Sequence, residues 1–249
     1  MKKKAAGVAM KTAKMERTVC ILAEKRRDMY EKLVWEKEGY FSFPYAKYLP
    51  KGYEKGKKYP FLLYLHGAGE RGDDPDIAAR HGFLKHVRQE GREYPFIIVA
   101  PQCPKGRYWG RYMESLIAFL GDMTETLGAD PDRVYLTGLS MGGTGTYLLA
   151  MAEPELFAAI APICGSGLYW YGGALRHIPV MMVHGDKDDI VPLADSTSML
   201  ESINKRGGKA ELRILEGVGH DAWNAAYEGD WLVEWFLSHK RDLSDFRPE

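Results

Sequence analysis

Cysteine is scarce in this sequence: three residues, Cys20, Cys103 and Cys164, among 249. So small and odd a number cannot make a disulfide framework, and without a Cys-x-x-Cys pair no structural zinc site is expected. Reduced, partly buried thiols are the plain reading and fit a cytoplasmic location; one bridge between Cys103 and Cys164 is the alternative. Net charge is missing too, since 34 Lys and Arg balance 34 Asp and Glu. Without a net field to gather polyanions, a nucleic-acid partner would need a local basic stripe. The lysine-rich stretches, 2–4 and 51–58, read instead as a solvated tail and a turn. Long apolar runs are also lacking. No uncharged stretch approaches the roughly 18–20 residues of a membrane span. The apolar run 5–10 ends at Lys11, too short for the core of a signal peptide, so neither membrane nor export is expected.

What is present is a globular composition, 45% hydrophobic and 27% charged. A chain of this length buries roughly 70–75% of its unfolded surface and needs no staples. Residues 1–32 are mixed and charged, an extension without a clear pattern. A strand is expected over 41–49, closed by the turn at Pro50-Lys51-Gly52. Short unbroken apolar runs follow at 60–65 (PFLLYL), 96–100 (FIIVA), 134–137 (VYLT), 157–163 (FAAIAPI) and 180–183 (VMMV). Strands of this kind are buried on both faces, as in a parallel sheet covered by helices. Helical spacing separates them at 113–127, 142–152, 193–206 and 231–239. The alternation predicts one α/β domain over 1–249, a mostly parallel central sheet with helices on both faces.

The chemistry is concentrated after the run at 134–137, in Gly138-Leu139-Ser140-Met141-Gly142-Gly143. This is G-x-S-x-G between a strand and a helix, the setting in which a tight, strained turn lifts a serine hydroxyl clear of the sheet. A serine hydroxyl is a weak nucleophile and needs a base, itself oriented by an acid. Both follow in order. The strand at 180–183 leads into His184-Gly185-Asp186-Lys187-Asp188-Asp189, and Gly217-Val218-Gly219-His220 follows a further strand at 210–215. Ser140 is thus the candidate nucleophile and His220 the candidate base, while Asp186, Asp188 and Asp189 compete for the acid. His66 and His184, each before a glycine at a strand end, are expected to bond loop backbone. His81, His86, His177 and His239 are left to surface or capping roles.

Gly67-Ala68-Gly69-Glu70-Arg71-Gly72 formally matches the dinucleotide fingerprint G-x-G-x-x-G. The polar break Asp73-Asp74-Pro75-Asp76 replaces the helix such a motif opens, and FIIVA ends in Pro101-Gln102 with no carboxylate for a ribose. Bound dinucleotide is therefore not expected.

Taken together, YLPKGY, LHGAGERG, APQCP, PDRVYLTGLSMGG, HGDKDDIVP and GVGHDAW resemble bacterial carboxylesterases of the α/β-hydrolase superfamily. The likeness runs from about residue 45 to 235. It is greatest to the branch labelled predicted peptidase or phospholipase/carboxylesterase, which shades into feruloyl and acetyl-xylan esterases. The resemblance implies an α/β-hydrolase fold and, from H-G-x-x-D-x-x-V-P, Asp188 as the acid. It implies that the backbone N–H groups of Ala68 and Met141 form the oxyanion hole, with no metal and no cofactor. The stretch 164–179, where lipases insert a cap, is too short for a large one, so an open cleft for small or carbohydrate-linked esters is expected.

The aromatic residues Tyr108, Trp109, Trp170, Tyr171 and Trp223 fall in loops at that rim. They read either as stacking surfaces for a phenolic acyl group or sugar, with Trp109, Trp170 and Trp223 the substrate contacts, or as loop packing. A serine carboxylesterase is the expected function. A prolyl-oligopeptidase-like peptidase shares the fold and triad, but the large gating domain it would use is not expected here. A non-catalytic binding scaffold is the third reading, and the presence of all three triad residues counts against it.

Overall fold

The computed structural model describes residues 29–244; Cys20 and most of the 1–32 extension lie outside them. Eight strands form one sheet in the order β1-β2-β4-β3-β5-β6-β7-β8. The strands are β1 (Tyr30–Trp35), β2 (Phe43–Tyr48), β3 (Tyr59–Leu65), β4 (Ile97–Pro101), β5 (Ala129–Leu139), β6 (Ala159–Ile163), β7 (Val180–Gly185) and β8 (Ala210–Leu215). β2 runs antiparallel to both β1 and β4, and every later pairing is parallel.

Helices α1 (Pro75–Ala78), α2 (Gly82–Glu90), α3 (Met113–Thr126), α4 (Met141–Ala152), α5 (Leu193–Lys205), α6 (Trp223–Ala226) and α7 (Trp231–Leu237) cover the faces. Alternate side chains of a strand enter opposite cores. Phe61, Leu63 and Leu65 of β3 pack with α3, α4 and α5 through Leu116, Phe119, Tyr147 and Met199. Leu62 and Tyr64 pack on the other side with α2 and α7 through Phe83, Leu84, Leu232 and Phe236. Burial on both faces is why the strand reads as an unbroken apolar run.

Four elements escape the sequence pattern: β1, α1, α2 and α6. α1 forms where a polar break is expected, with Pro75 in its first turn and the Asp74 carboxylate accepting the Asp76 N–H. β1 is an edge strand with Leu33 and Val34 exposed, so it has no clean apolar face. α2 buries Phe83, Leu84 and Val87 but is charged over the rest of its surface. Between β6 and β7 the chain makes only a 3₁₀ turn, Tyr169–Leu175, packed on α5. Cys103 and Cys164 are both buried and both free.

β4 lies on one side of β3 and β5 on the other. The connections leaving β3 and β5 therefore diverge, and a crevice opens at the carboxyl ends of these strands.

Candidate active site

Ser140 sits at that crevice, between β5 and α4, with φ 53° and ψ −116°. It is one of two non-glycine residues with positive φ among those described. A conformation of this kind costs on the order of 1–3 kcal/mol and persists only where the surroundings enforce it. Here they do: the Ser140 N–H donates to Ile163 O at 2.9 Å, and its carbonyl accepts from Thr144 N–H at 3.0 Å. The flanking glycines make the turn possible. A Cβ on Gly142 would fall against the carbonyl oxygen of Leu65, and one on Gly138 would meet the same oxygen at 2.6 Å.

Oγ of Ser140 lies 2.8 Å from Nε2 of His220, and Nδ1 of His220 lies 2.8 Å from Oδ2 of Asp188. The Nδ1–H tautomer satisfies both contacts, donating to the carboxylate and accepting the serine proton. Of the three competing acids, the structure brings only Asp188 to His220. Asp186 accepts the Gly217 N–H at 2.7 Å, and Asp189 is exposed.

The Asp188 side chain is closed off from solvent. Burial works to raise its pKa, but the His220 contact and the N–H groups of Val191 and Ile190 win, so the carboxyl sits below its ordinary value. His184 bonds loop backbone as expected, and beyond that expectation it also reaches the acid. Its Nε2 lies 2.9 Å from Val191 O and 3.1 Å from Asp188 Oδ2, while Nδ1 accepts from Ser196 Oγ at 2.7 Å.

Ala68 opens a 3₁₀ turn and Met141 opens α4. The first N–H groups of such turns have no partner within them. Met141 follows Ser140 directly, and Gly67, the neighbour of Ala68, lies against Leu139, so both turns begin at Ser140's end of the sheet. The Ala68 loop is pinned by its neighbours: Arg71 Nε donates to Ala68 O at 2.8 Å, and Trp109 Nε1 donates to His66 O at 3.0 Å. His66 is itself fully buried, its Nδ1–H donating to Gly67 O at 2.7 Å and its Nε2 accepting from Cys103 N–H at 2.9 Å. Burial lowers its pKa to about 4.

The aromatic rim divides. Trp109 is only 1% exposed, stacked edge-on to His66 and packed beneath α4. This corrects its placement among the substrate contacts: the 3₁₀ turn that opens α3 carries the indole inward, where it braces the loop. Trp170 stands in solvent against Tyr169, 63% exposed. Trp223 is half-buried and presents an edge to the His220 ring, centroids 5.4 Å apart.

Among the described residues, one grouping has the chemistry of a metal site: Cys164, Asp188 and His220, with ligand atoms within 4.8 Å of one another. Two of the three are spent on the hydrogen-bonded relay. The Cys164 thiol, pushed up to about 12 chiefly by burial, is neutral.

The prolyl oligopeptidase family matches residues 171–240, the segment that carries Asp188 and His220. The crystal structure of a thermostable esterase superposes with a TM-score of 0.78 at 29% identity, over 86% of this chain and 64% of that one. A bifunctional acetylxylan esterase/xylanase of Neocallimastix patriciarum is 29% identical over 53% of this chain and 20% of its own. "Probable feruloyl esterase C" of Aspergillus terreus is 25% identical over 66% of this chain and 62% of its own. In each case the chain spans less than two thirds of the relative's length. A fold shared over most of the chain with an esterase, and a strained serine turn where its sheet divides, give the chain an α/β-hydrolase fold similar to that of the thermostable esterase.

Proposed function

We propose that the protein is a serine carboxylesterase that works through an acyl-Ser140 intermediate. The observation that carries this reading is the continuous relay from Ser140 Oγ through His220 to Asp188, with both hydrogen bonds at 2.8 Å. In the first half-reaction Oγ attacks the ester carbonyl carbon while its proton passes to His220 Nε2. The imidazolium so formed is stabilised by Asp188. The carbonyl oxygen, now an anion, is met by the N–H groups of Ala68 and Met141; one such donor is typically worth about 2.7–4 kcal/mol in the transition state. His220 then gives its proton to the departing alkoxide. In the second half-reaction His220 takes a proton from water, and the resulting hydroxide attack releases the acid and frees Ser140.

The finer reading is that small acyl groups, or acetyl and feruloyl groups carried on plant cell-wall carbohydrate, are the substrates. It is supported by the short β6–β7 connection and by the names of the two curated relatives. The peptidase reading draws on the family match at residues 171–240.

One experiment separates them. Purified protein and Ser140→Ala are assayed on p-nitrophenyl acetate, methyl ferulate and a succinyl-Gly-Pro p-nitroanilide. Ester turnover that the variant lacks is the expected result. Turnover of the anilide alone would make the protein a peptidase, and equal ester turnover in both proteins would remove Ser140 from the mechanism.

A further inference from the structure

The oxyanion loop and the loop of the catalytic base come from opposite ends of the chain, and a path of side chains joins them. Glu70 is 7% exposed. Its Oε2 accepts the Gly67 N–H at 3.0 Å, and its Oε1 lies 3.5 Å from Nε2 of His81. The His81 ring leans on the indole of Trp223, centroids 5.7 Å apart, and Trp223 stands perpendicular to the His220 ring at 5.4 Å. No step of the ester chemistry uses Glu70 or His81.

A carboxylate this deep is costly unless its lone pairs are met. Burial opposes the Glu70 charge, but His81, His66 and the Gly67 N–H outweigh it and hold the carboxyl below its ordinary value. The space is reserved for it: a Cβ on Gly67 would fall 2.9 Å from Oε2. Gly67 and Ala68 share the peptide that carries the oxyanion donor. Glu70 Oε2 holds the N–H of the peptide before this one, and Arg71 the carbonyl of the peptide after it. Its own carbonyl, Gly67 O, accepts from His66 Nδ1–H at 2.7 Å and from Glu70 N–H at 3.4 Å, so it is held directly and from both flanks.

Resting on the esterase reading, we propose that Glu70 is a positioning residue: through His81 and Trp223 it ties the Gly67–Ala68 peptide to the His220 ring, so that donor and base keep one relative placement. A Glu70 serving only to fill and stabilise its loop would leave transition-state binding untouched.

The test uses Glu70→Ala, Glu70→Gln and His81→Phe. The probes are p-nitrophenyl acetate and a trifluoromethyl ketone, which adds to the serine and places an oxyanion in the same hole. In Glu70→Ala, kcat falls at least tenfold with KM within about twofold, and the ketone's Ki rises by a similar factor. Glu70→Gln, whose amide oxygen can still accept the Gly67 N–H, recovers most of both. His81→Phe keeps the ring against Trp223, loses the carboxylate contact, and shifts kcat and Ki together by a smaller factor.

Wild-type kcat and Ki in Glu70→Ala would overturn the proposal, as would a change confined to KM or to thermal stability. Should Glu70→Ala not fold, an unchanged Ki in His81→Phe overturns it equally. Nitrogen-15 spectra read the same tie without turnover: the Ala68 amide and the His220 ring signals move together in His81→Phe. A wild type inert toward esters would refute the esterase reading, while those spectra would still judge the brace.

Discussion

His184 and His220 converge on one oxygen. Nε2 of His184 lies 3.1 Å and Nδ1 of His220 2.8 Å from Oδ2 of Asp188. The acid of the relay is therefore fixed by a second imidazole and by two backbone N–H groups, from Ile190 and Val191, on Oδ1.

Replacing Asp188 by Asn removes the charge that stabilises the imidazolium and presents an amide that favours the wrong tautomer. A fall in kcat of order 10⁴ is expected. Asp186→Asn and Asp189→Asn should stay within tenfold of the parent. A comparably deep loss in either would move the acid to another position on the loop.

His184→Phe keeps the bulk of the ring and leaves Ser196 Oγ, Val191 O and one lone pair of Asp188 unmatched. Each such buried loss costs about 1–3 kcal/mol. Urea unfolding should register a destabilisation of that order, and kcat should drop about tenfold at unchanged KM. A fully stable, fully active variant would show that the contact carries no weight.

Acid should weaken the fold through His66 before it reaches the carboxylates. The folded His66 pKa is about 4, below its ordinary 6.5. Between these values the unfolded chain binds a proton that the native state refuses, so stability declines as pH falls from about 6.5 toward 4 and levels off below. The full effect is on the order of 3 kcal/mol. The depressed Asp188 carboxyl adds its own loss only at more acid pH, as protons reach it in the folded state. Urea midpoints at pH 7.5, 6 and 5 measure the first window. His66→Gln should flatten it, and an equally steep decline in that variant would assign the acid sensitivity elsewhere.

Trp109 and Trp170 should separate stability from specificity. Trp109→Ala empties a buried site and costs about 3–5 kcal/mol, lowering the melting temperature and, through the His66 carbonyl, kcat on every ester alike. Trp170→Ala should leave the melting temperature unchanged. A changed ratio of feruloyl to acetyl turnover in Trp170→Ala is expected if its ring meets the acyl group, and a constant ratio would withdraw it from the substrate contacts.

Much of this was legible in the sequence because burial on both sheet faces writes itself as unbroken apolar runs: β3, β4, β6 and β7 all lie within or beside the stretches so expected. The serine turn was legible for a steric reason, since only glycine fits beside Leu65 O. What could not be read depends on contacts between distant segments. β1 carries no pattern because its edge position leaves much of it in solvent. Trp109 sits next to exposed Tyr108, and nothing local says which of the two rings turns inward. Glu70, His81 and the contact of His184 with Asp188 could not be read until the fold placed their partners.

The relay spans 80 residues between Ser140 and His220, and 32 between Asp188 and His220. A newly made chain can complete the serine turn while β7 and β8 are still unpaired, and until they dock the serine has no base. On the esterase reading, catalytic competence arrives with the last strands, so regain of turnover on refolding would time the closing of the whole sheet, whereas spectroscopic helix or strand content would report the earlier half.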